Sequence, residues 1–402
     1  MFPGDFAATT PDKPAVVMAT SGQAITYAEL DAEANRLSRL FRAAGLQQGD
    51  HIAFCLENHP RFLSIMWGAH YAGLYYTAMS SRLTTEEMAY IIEDCGAQAF
   101  ITSAYKADQA SQLRDQMPNV KVRLMLDGVV EGYEPYEAAI AEHDPTPLDE
   151  ERVEGQDMLY SSGTTGRPKG VKVAMLDAPL GEGTDGVTML ASLLFGADES
   201  TVYLSPAPLY HAAPLGFAAI DLANGAELVL MPRWDEARCL SLIEERRVRN
   251  SHLVPTMCVR LLRLPDDVRA AADVSSLGTV LHGAAPIAPQ VKQRMIEWWG
   301  PVLVEYWGST EGGVFTLVDS EAWLAKPGTV GKAIPSYEVF AVDPAGERLP
   351  AGEVGTLYTR NLVTDEVFEY HQAPEKPEAP HLAPGTFTRR GVVYVDEDGH
   401  VF

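Results

Sequence analysis

Hydroxyl groups, glycines and a lysine are concentrated in one short segment of this chain, between Tyr160 and Gly170. Glycines let backbone N–H groups approach an anion, hydroxyls donate hydrogen bonds to it, and Lys169 adds a positive charge. This composition predicts a phosphate-binding loop that is neither helix nor strand; the alternative is a flexible surface turn. A Walker A loop is excluded, because Lys169 is followed by Gly170 where that motif requires Ser or Thr. The segment reads Tyr160-Ser161-Ser162-Gly163-Thr164-Thr165-Gly166-Arg167-Pro168-Lys169-Gly170.

Four further motifs follow this segment along the chain. In this order, the five motifs resemble those of the adenylate-forming superfamily, which includes acyl-CoA synthetases, nonribosomal peptide adenylation domains and firefly luciferase. The similarity runs from about Thr26 to the end of the chain. The four are an acyl-site segment, Pro208-Leu209-Tyr210-His211, an adenine-edge loop, His282-Gly283-Ala284-Ala285-Pro286, an aromatic-Gly-x-Thr-Glu motif, Tyr306-Trp307-Gly308-Ser309-Thr310-Glu311, and a glycine turn, Gly328-Thr329-Val330-Gly331-Lys332.

The resemblance implies roles for individual residues around ATP and Mg²⁺. Trp307 would stack on adenine, where a flat ring gains contact area, unless it is a plain core tryptophan. Thr310 would hydrogen-bond the α-phosphate, while Glu311 and Thr164 would hold Mg²⁺, a hard cation that prefers oxygen ligands. The expected nucleotide-binding residues are Ser161, Ser162, Gly163, Thr164, Thr165, Gly166, Lys169, Gly283, Ala284, Ala285, Pro286, Tyr306, Trp307, Gly308, Ser309 and Thr310.

The reaction that the resemblance implies is activation of a carboxylic acid. The substrate carboxylate attacks the α-phosphorus of ATP and expels pyrophosphate, so the protein must align the nucleophile and neutralise charge on the phosphoryl oxygens. This chemistry requires no Ser-His-Asp triad and no pair of carboxylates. The expected catalytic residues are Thr164, Lys169, His211, Thr310 and Glu311.

The acid is expected to be hydrophobic, aliphatic or alicyclic. Relatives that activate amino acids carry an Asp in the neighbourhood of His211, and this chain has no acidic residue there. The residues that follow His211, and those that follow Glu311, are small and apolar, which suits an apolar substrate. His211 is expected to be a gate or to orient the carboxylate; the alternative is a packed core histidine. The expected acyl-pocket residues are His211, Ala212, Pro214, Leu215, His282, Gly283, Gly308, Gly312, Gly313 and Val314.

Three functions remain open for this chain, and the first two differ in the step after activation. The first is transfer of the acyl group to coenzyme A, and the second is transfer to an amine, which makes an amide. The third, from another class, is a non-catalytic module that binds a nucleotide or an acyl group.

Two departures from the superfamily bear on that choice. Gly391 stands where relatives carry the Asp that binds the ribose hydroxyls, and Asp396 or Asp398 is the expected substitute. Relatives also continue into a smaller C-terminal lid that carries a catalytic lysine, and no residue of this chain is assigned that role. We therefore expect residues 1–402 to be the large N-terminal adenylation domain without its lid.

The elements that must position these residues read as alternating strands and helices, which predicts mostly parallel sheets. Capping boxes at Thr26 and Thr84 begin two helices. Strands are expected at 51–56, 74–78, 97–102, 228–231, 279–281 and 302–306, and helices at 60–72, 236–247 and 289–299, with a solvated connector at 130–154.

The expected fold class is α/β, with two doubly wound, mostly parallel sheet subdomains at about 1–190 and 191–325 and a small distorted β-barrel at about 326–402. The 31 basic and 55 acidic residues give a net charge of −24, which argues against nucleic acid and anionic membranes as partners. No apolar run reaches the roughly 20 residues of a membrane span. Four scattered cysteines indicate buried, reduced thiols. We expect a cytoplasmic enzyme that acts on small molecules, either as a monomer or as a homodimer.

Overall fold

A computed structural model describes residues 1–150, 152–161, 167–175, 178–182, 192, 194–365, 367–371 and 383–402, except for the side chains of 389 and 390. The chain forms two compact units. The first contains Met1–Trp234 and a short segment that begins at Tyr370, and the second contains the residues from Asp235 to Glu369 together with the C-terminal residues to Phe402.

The first unit contains two sheets flanked by helices. Its strands are β1 (Pro14–Met18), β2 (Ala24–Thr26), β3 (His51–Cys55), β4 (Tyr75–Met79), β5 (Ala97–Ser103), β6 (Val122–Leu126), β7 (Glu134–Pro135), β8 (Gln156–Ser161), β9 (Lys169–Lys172), β10 (Val202–Ser205) and β11 (Glu227–Leu230). Its described helices are Pro3–Thr9, Tyr27–Ala43, Phe62–Tyr71, Thr85–Asp94, Ala107–Leu113, Tyr136–Ala141 and Ala212–Ala223, with 3-10 turns at Ala104–Lys106 and Arg114–Gln116.

Parallel pairing dominates both sheets of the first unit. One sheet has the order β9-β8-β4-β3-β5-β6-β7, in which only β8 and β9 pair antiparallel. In the other, β2, β1, β11 and β10 are neighbours, and β1 and β10 both run parallel to β11. Parallel strands place their carboxyl ends at one edge, where ligands bind in open α/β sheets.

Local sequence signals account for the helices of this unit. Thr26 accepts from the backbone N–H of Glu29, whose side chain accepts in return from the Thr26 N–H, so the predicted capping box is confirmed. The second box, at Thr84 and Glu87, is confirmed in the same way. The apolar residues that share one face of the helix Tyr27–Ala43 are all buried: Leu30, Ala34, Leu37 and Phe41.

The second unit consists of a mixed sheet and a smaller antiparallel sheet. Its strands are β12 (Asn250–Leu253), β13 (Thr279–His282), β14 (Leu303–Ser309), β15 (Gly313–Val318), β16 (Gly331–Ala333), β17 (Tyr337–Val342), β18 (Gly355–Asn361), β20 (Thr386–Val393) and β21 (His400–Val401), while the short strand β19 (Glu369–Tyr370) lies at the boundary. Its described helices are Glu236–Arg246, Pro255–Leu262, Asp266–Ala271, Pro289–Trp299 and Ser320–Ala325.

In the mixed sheet β12, β13 and β14 are parallel, and β15, β16 and β21 extend it antiparallel. The predicted α/β class is therefore confirmed. Where a small barrel was predicted, the described residues form an open three-stranded antiparallel sheet in the order β17-β18-β20. Its core is a cluster of Phe315, Val339, Leu357, Phe387 and Val401.

Two predictions for segments of the first unit differ from the structure. The connector predicted at 130–154 contains β7 and the helix Tyr136–Ala141, because Tyr136 and Ile140 lie one helical turn apart and are both buried. The segment from Tyr160 to Gly170 was predicted to be neither helix nor strand, but its two ends belong to β8 and β9. Glycine and hydroxyl residues can end a strand pair as well as form a loop.

Among the described residues, no helix is both long enough and apolar enough to cross a membrane. All four cysteines are buried and free, which confirms the prediction of reduced structural thiols.

Candidate active site

The predicted phosphate loop is carried by an antiparallel strand pair in the first unit. Ser161 at the end of β8 pairs with Lys169 at the start of β9. The helix Thr85–Asp94 holds this stem from one side, since the Tyr90 hydroxyl donates to the carbonyl of Pro168 at 3.2 Å and the Tyr160 hydroxyl donates to Asp94. Five predicted phosphate ligands lie outside the described residues: Ser162, Gly163, Thr164, Thr165 and Gly166.

Lys169 is positioned by an aromatic ring. Its ammonium lies 4.7 Å from the centroid of the Tyr370 ring, within the range of a cation–π interaction. The next residue, His371, donates its backbone N–H to the carbonyl of Gly170 at 2.9 Å. The sequence analysis missed this contact, because the two residues are separated by about two hundred positions.

The predicted acyl-site segment links β10 to the helix Ala212–Ala223. His211 precedes the first turn of that helix in an extended conformation, with its ring 4.6 Å from that of Tyr210. His211 is exposed, so the alternative of a packed core histidine is wrong. Of the helix residues expected in the acyl pocket, Ala212 is partly buried, and Pro214 and Leu215 are buried.

In the second unit, the predicted adenine-edge loop leaves the carboxyl end of β13. Gly283 packs against β14 so closely that a Cβ atom would lie 2.7 Å from the ring and from the carbonyl oxygen of Tyr306. Ala284 then adopts a left-handed conformation with a φ of 64°, which is unusual for a residue other than glycine. Gly283 is buried, whereas Ala284, Ala285 and Pro286 are exposed, so the loop presents a strained backbone to solvent.

The aromatic motif lies in β14, beside the strand that ends in this loop. The strand continues to Ser309, three residues beyond the predicted end, and pairs antiparallel with β15. Trp307 is partly buried and its ring lies 4.9 Å from that of Phe315. Gly308 is required here, because a Cβ atom would lie 2.2 Å from the carbonyl oxygen of Gly313.

Thr310 and Glu311 form the turn between β14 and β15. Thr310 is partly buried, and Glu311 is 1% exposed. A carboxylate at such a buried position suits a hard divalent cation, which supplies charge that water does not. The burial of Glu311 is therefore consistent with its predicted role as a magnesium ligand. The expected acyl-pocket residues that follow it, Gly312, Gly313 and Val314, range from partly buried to exposed.

A buried ion pair that was not predicted includes Glu305, the residue before the aromatic motif in β14. The ammonium of Lys292, from the helix Pro289–Trp299, is 2.7 Å from a carboxylate oxygen of Glu305 in β14, and it lies 4.9 Å above the ring of Trp323. The Lys292 side chain is 0% exposed. Burial lowers the pKa of Lys292 and raises that of Glu305, and in each case the partner opposes the shift.

Two buried histidines adjoin this ion pair. His282 has its Nε2 4.0 Å from the Glu305 carboxylate, and burial followed by the Lys292 charge holds its pKa well below the usual range. His252 in β12 lies 2.9 Å, through its Nε2, from the hydroxyl of Tyr306. Burial lowers the pKa of His252 to about 4. Both imidazoles are therefore neutral at pH 7.

The stability of the protein should depend on His252 in mildly acidic solution. In the unfolded chain His252 titrates near 6.5, but in the folded chain its pKa is about 4. Between these values the unfolded chain binds more protons, so the free energy of unfolding should fall as the pH decreases from 6.5 towards 4. His252→Gln should reduce this slope by up to about 1.4 kcal/mol per pH unit. Urea unfolding at several pH values measures it, and an unchanged slope would contradict the assignment.

The position expected to bind ribose, Gly391, and its two expected substitutes all lie in the second unit. Gly391 lies in β20, where a Cβ atom would meet only Leu357, at 3.7 Å. Asp396 and Asp398, the expected substitutes, both accept hydrogen bonds from the Lys326 ammonium. These two carboxylates therefore share the single positive charge of one lysine of their own unit.

Comparison with known proteins identifies the family. A family model described as AMP-binding enzyme matches residues 5–364. The chain belongs to this family of AMP-binding enzymes, which confirms the resemblance drawn from the motifs.

Individual relatives agree with this assignment. A feruloyl-CoA synthase from Amycolatopsis sp is 32% identical over 389 residues, which cover 94% of this chain and 73% of that protein. A 4-coumarate–CoA ligase from Oryza sativa subsp. japonica is 28% identical, with 97% and 71% covered. The amide bond synthetase McbA from Marinactinospora thermotolerans superposes with a TM-score of 0.85 at 25% identity, covering all of this chain and 78% of that one.

A further structure shows the fold alone. The inhibitor-bound N-terminal domain of FACL13 from Mycobacterium tuberculosis has a TM-score of 0.84 at 24% identity, covering 100% of this chain and 97% of that chain. The fold of the adenylate-forming N-terminal domain, predicted from the five motifs, is confirmed.

Proposed function

We propose that this protein activates a hydrophobic carboxylic acid with ATP, releases pyrophosphate, and transfers the acyl group from the acyl-adenylate to coenzyme A. The observation that carries the proposal is the family match over residues 5–364, together with relatives whose names specify acid–CoA ligation. We also propose that the reaction takes place in the cytoplasm, where ATP and coenzyme A are present.

The chain's own residues would bind and orient the two substrates. Lys169 and the loop from Ser161 to Gly166 would contact the phosphates, and the turn at Thr310 would contact the α-phosphate. His211, exposed at the start of its helix, is available to orient the substrate carboxylate. Alignment of that carboxylate with the α-phosphorus is the main task of such a site.

Glu311 would hold Mg²⁺, with Thr164 as a second ligand. When bound, the ion supplies positive charge that stabilises the phosphoryl oxygens. The buried Glu311 carboxylate supports this proposal, since a charge at such a position is stabilised by a counter-ion.

The class of acid is proposed from the residues around His211. The segment from Tyr210 to Leu215 has no carboxylate to pair with an ammonium group, and Pro214, Leu215 and Phe217 are buried apolar residues of the same helix. An apolar carboxylic acid without an ammonium group fits these side chains better than an amino acid does. Ferulate and 4-coumarate therefore join aliphatic and alicyclic acids in the panel to be tested, since the relatives' names specify aromatic acids.

An amide-forming reaction is the second candidate, favoured by the similarity to McbA. The experiment uses a protein that includes a C-terminal lid with its catalytic lysine. It supplies ATP, Mg²⁺ and the acid panel, with coenzyme A in one arm and a primary amine in the other. Acid-dependent pyrophosphate release and a thioester product in the first arm are the expected result. An amide only in the second arm would support the alternative, whereas nucleotide binding without pyrophosphate release in either arm would indicate a non-catalytic module.

A further inference from the structure

A single buried asparagine connects three elements of the first unit next to the acyl-site segment. Asn58 lies after β3, and its side-chain amide donates to the carbonyl of Met231 at 2.8 Å and to the carbonyl of Ala207 at 3.0 Å. Its side-chain oxygen accepts from the backbone N–H of Leu209 at 2.9 Å. Two carbonyl groups on one side and an N–H group on the other determine the orientation of the amide.

These three bonds hold the segment that ends at His211. Ala207 and Leu209 flank Pro208, whose ring cannot donate a hydrogen bond, so Asn58 satisfies the polar groups on either side of it. Met231 follows β11, and its own N–H donates to Ser205 at the end of β10. Asn58 thus joins the carboxyl ends of β3, β10 and β11.

The turn that carries Asn58 is itself held on both sides. The residue before it, Glu57, accepts a hydrogen bond of 2.6 Å from the hydroxyl of Ser103, the last residue of β5. The residue after it, His59, lies 3.0 Å from the carboxylate of Asp127, which follows β6. With both neighbours held by the parallel sheet, the Asn58 amide is presented in one position.

We propose that Asn58 is a positioning residue for the acyl site, which it fixes by holding the backbone of Ala207 and Leu209 and thereby the approach to His211. The inference rests on the proposed function, since it assigns this segment to binding of the acid. Loss of the amide leaves two carbonyls and one N–H unsatisfied in a buried environment, so the segment relaxes to other conformations. Binding of the acid then weakens, whereas binding of ATP does not involve this segment.

Asn58→Leu, which has a similar size and removes all three bonds, is the first variant to test. The KM for the acid should rise about tenfold or more, and the KM for ATP should change less than about twofold. Asn58→Ala removes the same three bonds with a smaller side chain, and it is the second variant if the leucine protein does not fold. Asn35→Leu is the matched control, because Asn35 is fully buried in the same unit and bonds to Asp31, so it should lower stability without changing the KM for the acid.

A second measurement separates failure of this inference from failure of the proposed function. Hydrogen exchange of the peptide containing residues 205–211 should be faster in the Asn58 variants than in the parent, whatever the substrate. Unchanged exchange, or faster exchange with an unchanged KM for the acid, would overturn the positioning role. A parent protein that activates no acid would overturn the proposed function, and with it the acyl part of this inference, while the exchange result would still decide whether Asn58 holds the segment.

Discussion

Replacing Lys292 with methionine is expected to lower the free energy of unfolding by about 3–5 kcal/mol. Methionine keeps much of the length of the side chain but leaves the Glu305 carboxylate, 6% exposed, without its ammonium partner at 2.7 Å. An unpaired charge in a buried environment is costly, and most of the loss comes from the group that remains. Denaturant unfolding, followed by circular dichroism, measures the change.

The double variant Lys292→Met with Glu305→Leu should recover most of that stability, because it leaves no unpaired charge. Lys121→Met, at an exposed lysine that bonds to Gln98, is the control and should change stability by less than about 0.5 kcal/mol. A Lys292 variant as stable as the control would show that the pair contributes nothing to folding.

Glu311→Gln is expected to lower the rate of acyl-adenylate formation by about 100-fold to 1,000-fold at limiting Mg²⁺. The amide has nearly the shape of the carboxylate but lacks the charge that attracts a hard cation. Pyrophosphate exchange, measured against the concentration of Mg²⁺, should show a weaker apparent affinity for the metal.

Glu321→Gln is the matched control, since Glu321 is an exposed carboxylate in the same unit. It should leave both the rate and the dependence on Mg²⁺ unchanged. Thermal unfolding of the two variants tests whether the fold is retained. An unaltered metal dependence in the Glu311 variant would reject Glu311 as a ligand.

The sequence predicted most of the elements that surround the site, because their signals are local. The capping boxes at Thr26 and Thr84 and the helix Pro289–Trp299 depend on residues within a few positions of one another. The end of β14 was not predicted, because Trp307 and Gly308 stay in the strand through pairing with β15. Composition likewise suggested a solvated connector at 130–154. This segment contains a helix because Tyr136 is buried against the rest of the unit.

In the candidate site, too, local motifs could be predicted from the sequence, whereas contacts between distant residues could not. Its motifs are contiguous in sequence, so they could be identified without a structure. The residues that support them are distant in sequence: Tyr370 contacts Lys169, Lys292 pairs with Glu305, and Asn58 bonds to Leu209. A buried lysine on an otherwise apolar helix face, as at Lys292, was the one signal that could have been noticed, since lysine is seldom fully buried without a partner.

The placement of the four thiols makes the protein suitable for alkylation experiments. Cys55 and Cys95 lie in the first unit, and Cys239 and Cys258 lie in the second. Burial raises the pKa of Cys55, Cys95 and Cys258 to about 12. In the folded state these thiols are therefore neither accessible to iodoacetamide nor ionised to the reactive thiolate. Carbamidomethylation then reports opening of the surrounding structure. Because each unit contains two thiols, peptide mass mapping distinguishes opening of one unit from opening of the other in a single reaction.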